Sequence, residues 1–204
     1  MKKPLIIYGA GDNGVRLALD IFEGRKLTEY IVCGFVDDGK RGKVLGFDIV
    51  GGREHLDELL RKGIGNVVVS LVGNPVARLE RCEELKRKGF KFPSVYGTNV
   101  PSSARVGEGV FVHETSAFLG YDQDVADYAV IGPNTTIEGR TLIGRGTIVC
   151  PHAFVGYSSS TGEACLLGIR STLMPNLSIG DKSILGHHVL QHKNLASGEK
   201  NLRY

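Results

Sequence analysis

The chain has 204 residues, enough for one or two domains, and carries 25 Lys and Arg against 22 Asp and Glu, a net charge of +3. So mild a balance, with no basic stripe interleaved with aromatics, argues against a nucleic-acid partner. No apolar run approaches the ~20 residues of a membrane span.

The opening stretch, MKKPLIIYGAGDNG, holds two lysines and a short apolar run. That run is too short for a signal peptide and leads straight into a Gly-rich loop. Leu5–Tyr8 reads as a strand, Gly9-Ala10-Gly11-Asp12-Asn13-Gly14 as the loop, and Val15 to Phe22 as a helix. A second strand, Ile31–Val36, ends at Asp37-Asp38. A helix is expected from about Glu54 to Lys62, and a third strand over Val67–Leu71 is followed by Gly73-Asn74. Another helix runs from Pro75 to Lys88, with Pro suited to its first turn, and a short strand is expected near Phe92–Val95. Strands alternating with helices imply a small, Rossmann-like parallel sheet. The GxGxxG loop between strand and helix fits a dinucleotide fingerprint. Its glycines let the backbone approach phosphate, and the helix N-terminus favours an anion. Asp37 is placed to accept hydrogen bonds from ribose hydroxyls. About 95 residues are too few for both halves of a dinucleotide fold. A nucleotide-linked ligand therefore fits better than NAD, with a purely structural tight turn as the other reading.

From Val106 to Leu190 the chain repeats every six residues. Leading positions fall at 106, 112, 118, then 125 and every sixth residue to 185, with one extra residue near Asp122. Thirteen of fourteen leaders are Val, Ile, Leu or Phe, the exception being Thr161, and Gly follows the leader in eight. Such a phase marks a repeat architecture. Three hexads make an 18-residue triangular coil, and coils stack at about the 4.8 Å strand spacing. The fifth position is mostly small and can share the interior. The expected domains are 1–95 (α/β) and 96–204 (solenoid). The four cysteines lack paired spacing and read as buried free thiols in a reducing cytoplasm.

The stretches IIYGAGDNG, GFVDD, VGNPVAR and LLGIRSTLMPNLSIGDKSILG together resemble the PglD/NeuD-like sugar acyltransferases over essentially the whole chain. The resemblance implies a left-handed parallel β-helix, a cytoplasmic homotrimer, acetyl-CoA as co-substrate between neighbouring solenoids, and no metal. It also implies a nucleotide-linked amino sugar on the N-terminal domain, acetylated for surface-glycan biosynthesis. Gly9, Gly11, Asp12, Asn13, Gly14, Asp37, Asp38, Gly73 and Asn74 are then the expected sugar-nucleotide contacts. Gly168, Arg170, Gly186 and Lys193 are the expected CoA contacts.

The chain departs from the family at one critical place. The family's catalytic His and acidic neighbour fall in a segment of the form I-E-H-E-C-x-I-G. Here Ile137 and Glu138 are followed by Gly139 and Arg140. Candidate catalytic residues are therefore Glu138, His152 (the nearest His in sequence) and Tyr157, one coil beyond Gly139. Three readings stand: another residue serves as base, positioning of a partly neutral amine suffices, or the chain has lost activity or transfers another group. A sugar O-acetyltransferase and a non-catalytic nucleotide-sugar binder are the alternatives. Asn134, His152, Arg170 and His188 recur at one corner of successive coils, as a ligand-facing ladder or, the plainer reading, a solvated edge. His187, His188 and His192 lack a fourth ligand for a metal.

Overall fold

The computed structural model describes residues 1–97 and 99–203. The chain divides into two units, Met1–Val72 with Glu80–Pro93, and Gly73–Leu79 with the chain from Ser94 onward.

In the first unit, β1 (Lys3–Tyr8), β2 (Tyr30–Val36), β3 (Gly42–Val44), β4 (Phe47–Gly51) and β5 (Asn66–Val69) form one sheet in the order β3-β4-β2-β1-β5. β1 lies at its centre, and Leu5, Ile6 and Ile7 are fully buried, as expected of a strand covered on both faces. Helix α1 (Asp12–Phe22) buries Gly14, Leu17, Ala18 and Ile21, which share one helical face. The sheet is not purely parallel, since β3 and β4 form an antiparallel hairpin that the sequence reading lacks. Its turn places Leu45 and Gly46 at φ 45° and 84°. A turn with two left-handed residues ordinarily advertises itself by Asn-Gly or Asp-Gly, and Leu45 hid it. The helix expected from Glu54 is a 3-10 turn, Arg53–His55, followed by α2 (Leu56–Arg61). The strand expected near Phe92–Val95 is absent; only isolated bridges, Asn66 to Lys91 and Val95 to Phe111, occur there. Cys33 is exposed rather than buried, because the first half of β2 alternates outward. α3 (Pro75–Lys88) has the expected bounds.

In the second unit every coil contributes one two-residue strand to each of three parallel sheets, a left-handed parallel β-helix. Sheet I contains Val130–Ile131, Ile148–Val149 and Leu166–Leu167. Sheet II contains Thr136–Ile137 and Phe154–Val155. Sheet III contains Leu142–Ile143 and Ser160–Thr161. Register confirms the 18-residue coil, with Ile131 beside Val149 and Val149 beside Leu167. The leaders Val125, Ile131, Ile137, Ile143, Val149, Val155, Leu167, Leu173 and Leu185 are fully buried and stack into the core. The small fifth residues bond inward. The Thr135 and Thr141 hydroxyls donate to the Gly132 and Glu138 carbonyls, both at 2.7 Å, and Ser159 donates to that of Met174 at 2.8 Å. Thr161 keeps its inward place because its Oγ1 accepts the Gly144 N–H at 2.9 Å. The repeat continues past 185 with a polar leader. Gln191 is buried, accepting from Asn201 Nδ2 at 2.7 Å and donating to the Lys193 carbonyl.

From Tyr128 to His188 every sixth residue lies at φ between 51° and 65°. The fourth hexad position is thus a left-handed corner. The column Asn134, His152, Arg170, His188 falls on it and is exposed, as the solvated-edge reading expects. Arg78, in the first turns of α3, is fully buried. Its Nε donates to the Tyr128 carbonyl at 2.7 Å and its Nη2 to that of Gly109 at 3.4 Å.

Candidate active site

The Gly-rich loop is built by distinct steric demands. Gly9 sits at φ 103°, and a Cβ there would lie 2.6 Å from Ser70 Oγ. A Cβ on Gly14 would lie 2.1 Å from the Gly9 carbonyl oxygen, so this glycine lets α1 pack on the loop. Gly11, the N-cap, has nothing within 4 Å of its Cβ direction and no side chain caps the helix. The first turn of α1 therefore presents N–H groups beside open space, the arrangement that suits a phosphate. Asp12 and Asn13 are exposed there. The carboxylate of Asp12 would repel a diphosphate, so these residues suit it through their backbone.

The two aspartates after β2 have different partners. Asp37 Oδ2 accepts the Ala10 N–H at 2.8 Å, and Oδ1 accepts those of Gly39 and Lys40, both at 2.9 Å. Asp37 thus fastens the loop, with one lone pair of Oδ2 left for a ribose hydroxyl. Asp38 accepts from the Tyr8 hydroxyl at 2.8 Å, the Arg53 N–H at 2.9 Å and Arg53 Nη2 at 2.6 Å. Arg81 lies 4.8 Å from the centre of the Tyr8 ring and pairs with Glu84. Burial raises the pKa of both aspartates. The N–H groups around Asp37, and Arg53 with Tyr8 around Asp38, outweigh it and hold both carboxyls below the usual range. Such groups stabilise the fold above their unfolded pKa near 4, and lose that contribution as pH falls through the lower folded value. Acid unfolding of the first unit should accordingly begin below about pH 4, and Asp38→Asn should flatten that dependence in a pH series of thermal melts. Tyr8, Arg53 and Arg81 escaped the sequence reading because their juxtaposition depends on strand order and helix placement. Gly73 and Asn74 belong to the second unit, where Asn74 Oδ1 accepts the Ala77 N–H at 3.1 Å and caps α3.

In the solenoid the expected site residues separate onto two corners. His152 and Arg170 follow strands of sheet I, at the corner leading to sheet II. Glu138, Tyr157 and Lys193 follow strands of sheet II, at the corner leading to sheet III. Glu138 and Tyr157 are brought together, as Glu138 Oε2 accepts the Tyr157 N–H at 2.7 Å. Gly139 lies between them, and Arg140 Nη1 donates to the Tyr157 hydroxyl at 3.3 Å. A Cβ on Gly139 would lie 3.0 Å from the Tyr121 carbonyl oxygen and 3.4 Å from Tyr157 Cε2. His152 has Asn134 as its neighbour, at 3.4 Å. Stacking accounts for Gly168, since a Cβ there would fall 2.5 Å from the Gly186 carbonyl carbon, whereas a Cβ on Gly186 would meet nothing closer than Leu202 Cα at 3.1 Å. Lys193 is exposed two coils from Tyr157, about 10 Å along the axis. Arg140 and Tyr121 complete this corner. The register that identified Gly139 also pointed to Arg140, but not to its partner. Burial pushes the Cys150 thiol up to about 11, which leaves it un-ionised at neutral pH. Among the described residues no group of three or more His, Cys, Asp and Glu is placed to hold a metal, and no helix is long and apolar enough to cross a membrane.

Residues 4–85 match the family model of the PglD N-terminal domain. No curated protein sequence matches the chain. PerB from Caulobacter crescentus, solved with CoA and GDP-perosamine, is similar over 98% of this chain and 94% of its own, at 23% identity and a TM-score of 0.86. A histidine variant of GDP-perosamine N-acetyltransferase from the same organism, also with CoA and GDP-perosamine, covers 98% and 93%, at 23% identity and a TM-score of 0.87. The acetyltransferase domain of PglB from Neisseria gonorrhoeae, in complex with acetyl coenzyme A, covers 98% and 96%, at 21% identity and a TM-score of 0.86. The N-terminal part of the chain is similar to the PglD N-terminal domain family, and the chain as a whole has the two-part fold of these solved acetyltransferases.

Proposed function

We propose that the protein is an acetyl-CoA-dependent N-acyltransferase acting on a nucleotide-linked amino sugar, in the cytoplasm and as a homotrimer, for surface-glycan assembly. The observation that carries this reading is the union, in one chain, of a PglD-type domain with a β-helix whose whole-length relatives were solved with CoA and GDP-perosamine or with acetyl-CoA. Residues 1–95 would bind the sugar nucleotide, with Gly11 and the first turn of α1 at the diphosphate and Asp37 at the ribose. Residues 96–204 would carry the transfer, with Arg170 and Lys193 as the candidate CoA contacts.

The amine nitrogen attacks the thioester carbonyl, the C–N bond forms, the C–S bond breaks, and CoA leaves as the thiol while the nitrogen loses a proton. At the Gly139 corner the ionisable side chains are Glu138, Arg140, Tyr157, Tyr121 and Asp122, the last paired with Arg105. Glu138 holds the Tyr157 backbone, and the Tyr157 phenol, which carries a proton it can both take and give, serves as a relay. Positioning of an already neutral amine then supplies most of the rate. This favours amine over alcohol acceptors, because a hydroxyl demands a base more strictly. Thiol release with UDP-, GDP- and dTDP-linked amino sugars tests the reading. Silence with all of them, together with no acetyl-CoA binding, would sink it. Tyr157→Phe should lower kcat by about three- to tenfold, in line with a relay at the weak end of proton-transfer catalysis, whereas His152→Ala should stay within about threefold of wild type, as expected for a residue outside proton transfer. A collapse with His152→Ala would reinstate His152 as the base. A non-catalytic nucleotide-sugar binder is the second reading, favoured by Gly139 and Arg140 themselves.

A further inference from the structure

Arg140 stands where every neighbouring counter-charge is committed elsewhere. Asp122, one coil before it, accepts from Arg105 Nη1 at 3.0 Å, and Asp124 accepts from Arg105 Nε at 3.0 Å. Glu138 is turned to the Tyr157 N–H. The charge of Asp122 still favours the Arg140 cation, without an ion-pair contact. No carboxylate among the described residues lies within 4.0 Å of the Arg140 guanidinium, and its one side-chain hydrogen bond is to the neutral Tyr157 hydroxyl.

Tyr121 and Tyr157 are exposed beside Gly139, which is itself buried against the Tyr121 backbone and the edge of the Tyr157 ring. Tyr157 receives its hydrogen bond from Arg140 on oxygen, so its own proton remains to be donated. The guanidinium fork and the phenolic O–H thus offer donors side by side on one exposed corner, a set that suits a carboxylate. A hydroxyl oxygen could accept one such bond, but a carboxylate takes two from the guanidinium fork and adds charge attraction.

We infer that the corner formed by Gly139, Arg140, Tyr121 and Tyr157 recognises a carboxylate on a substrate of this protein. Under the acyl-transfer reading, on which this rests only for naming the source, the carboxylate belongs either to an acceptor sugar of the uronic type or to a dicarboxylic acyl group on CoA. Arg140 is then a specificity-determining residue.

Calorimetric binding to paired probes separates the possibilities. UDP-glucose is compared with UDP-glucuronate, GDP-mannose with GDP-mannuronate, and acetyl-CoA with succinyl-CoA. One kind of pair should show about a tenfold or greater preference for the carboxylate member, and which kind names the source. Arg140→Gln should abolish the preference, and Tyr157→Phe should reduce it, with thermal melts confirming that both variants are folded. The inference is overturned if no pair discriminates, if Arg140→Gln retains the preference, or if no carboxylate probe binds. A carboxylate preference without transfer to any acceptor would count against the transferase reading alone. Transfer to neutral sugars, unchanged by Arg140→Gln, would count against this inference alone.

Discussion

Gly144→Ala is expected to destabilise the solenoid by about 3–5 kcal/mol or to prevent its folding. A Cβ at this position would lie 2.1 Å from the Gly162 carbonyl oxygen and 2.8 Å from that of Thr161. Both atoms are backbone of the next coil, so no side chain can rotate away. Relief would require the coils to part, which breaks the contact from the Gly144 N–H to Thr161 Oγ1 and the register of Leu142 with Ser160. Because each coil rests on its neighbours, a local parting weakens both halves of the stack. Gly139→Ala is the control. Its Cβ would meet atoms no closer than 3.0 Å, so a shift of a few tenths of an ångström accommodates it. Its cost should stay under about 1.5 kcal/mol. Denaturant melts of the two variants check the contrast, and equal midpoints would refute the stacking account.

The same contrast shows how legible the chain was. The hexad register displayed the leaders, the small inward fifth residues and the coil length, because each follows from a side chain that must face the core. Read with the family resemblance, it also pointed to Gly139 as the position expected for a catalytic base. What it could not display depends on backbone geometry or on distant pairing. Leu45 gave no sign of a left-handed turn, so the β3–β4 hairpin was missed. The second strand read as apolar, yet Cys33 points outward from it. His152 and Tyr157 were alternative candidates for the base, and one strand of sheet II separates their corners. Gly168 read as a ligand contact, and stacking gives it a second reason to be Gly, since its Cβ would meet the backbone of Gly186. The commitment of Asp122 and Asp124 to Arg105 leaves Arg140 without a carboxylate, and no spacing rule announces that.

Gly11→Val is expected to leave the first unit folded while lowering affinity for a nucleotide sugar by about a hundredfold or more. A clash with a bound diphosphate costs at least the loss of its charge-assisted bonds to the helix N-terminus. Gly11 lies at φ −85° and ψ 178°, extended backbone that Val adopts readily. Its Cβ would enter space that no protein atom occupies within 4 Å. The structural cost is limited to a poorer N-cap, about 1 kcal/mol. Gly14→Ala should behave in the opposite way. Its Cβ would press on the Gly9 carbonyl oxygen at 2.1 Å, so α1 must lift from the loop and the unit loses stability before any ligand is considered. Binding calorimetry beside thermal unfolding separates the two. If Gly11→Val binds nucleotide sugars as wild type does, the open space beside α1 is not where the diphosphate sits, and the glycine loop is a packing device alone. If it melts as early as Gly14→Ala, the space is not open. Loss of binding with an intact melt would place the phosphate at this helix end, because no other property of residue 11 changes.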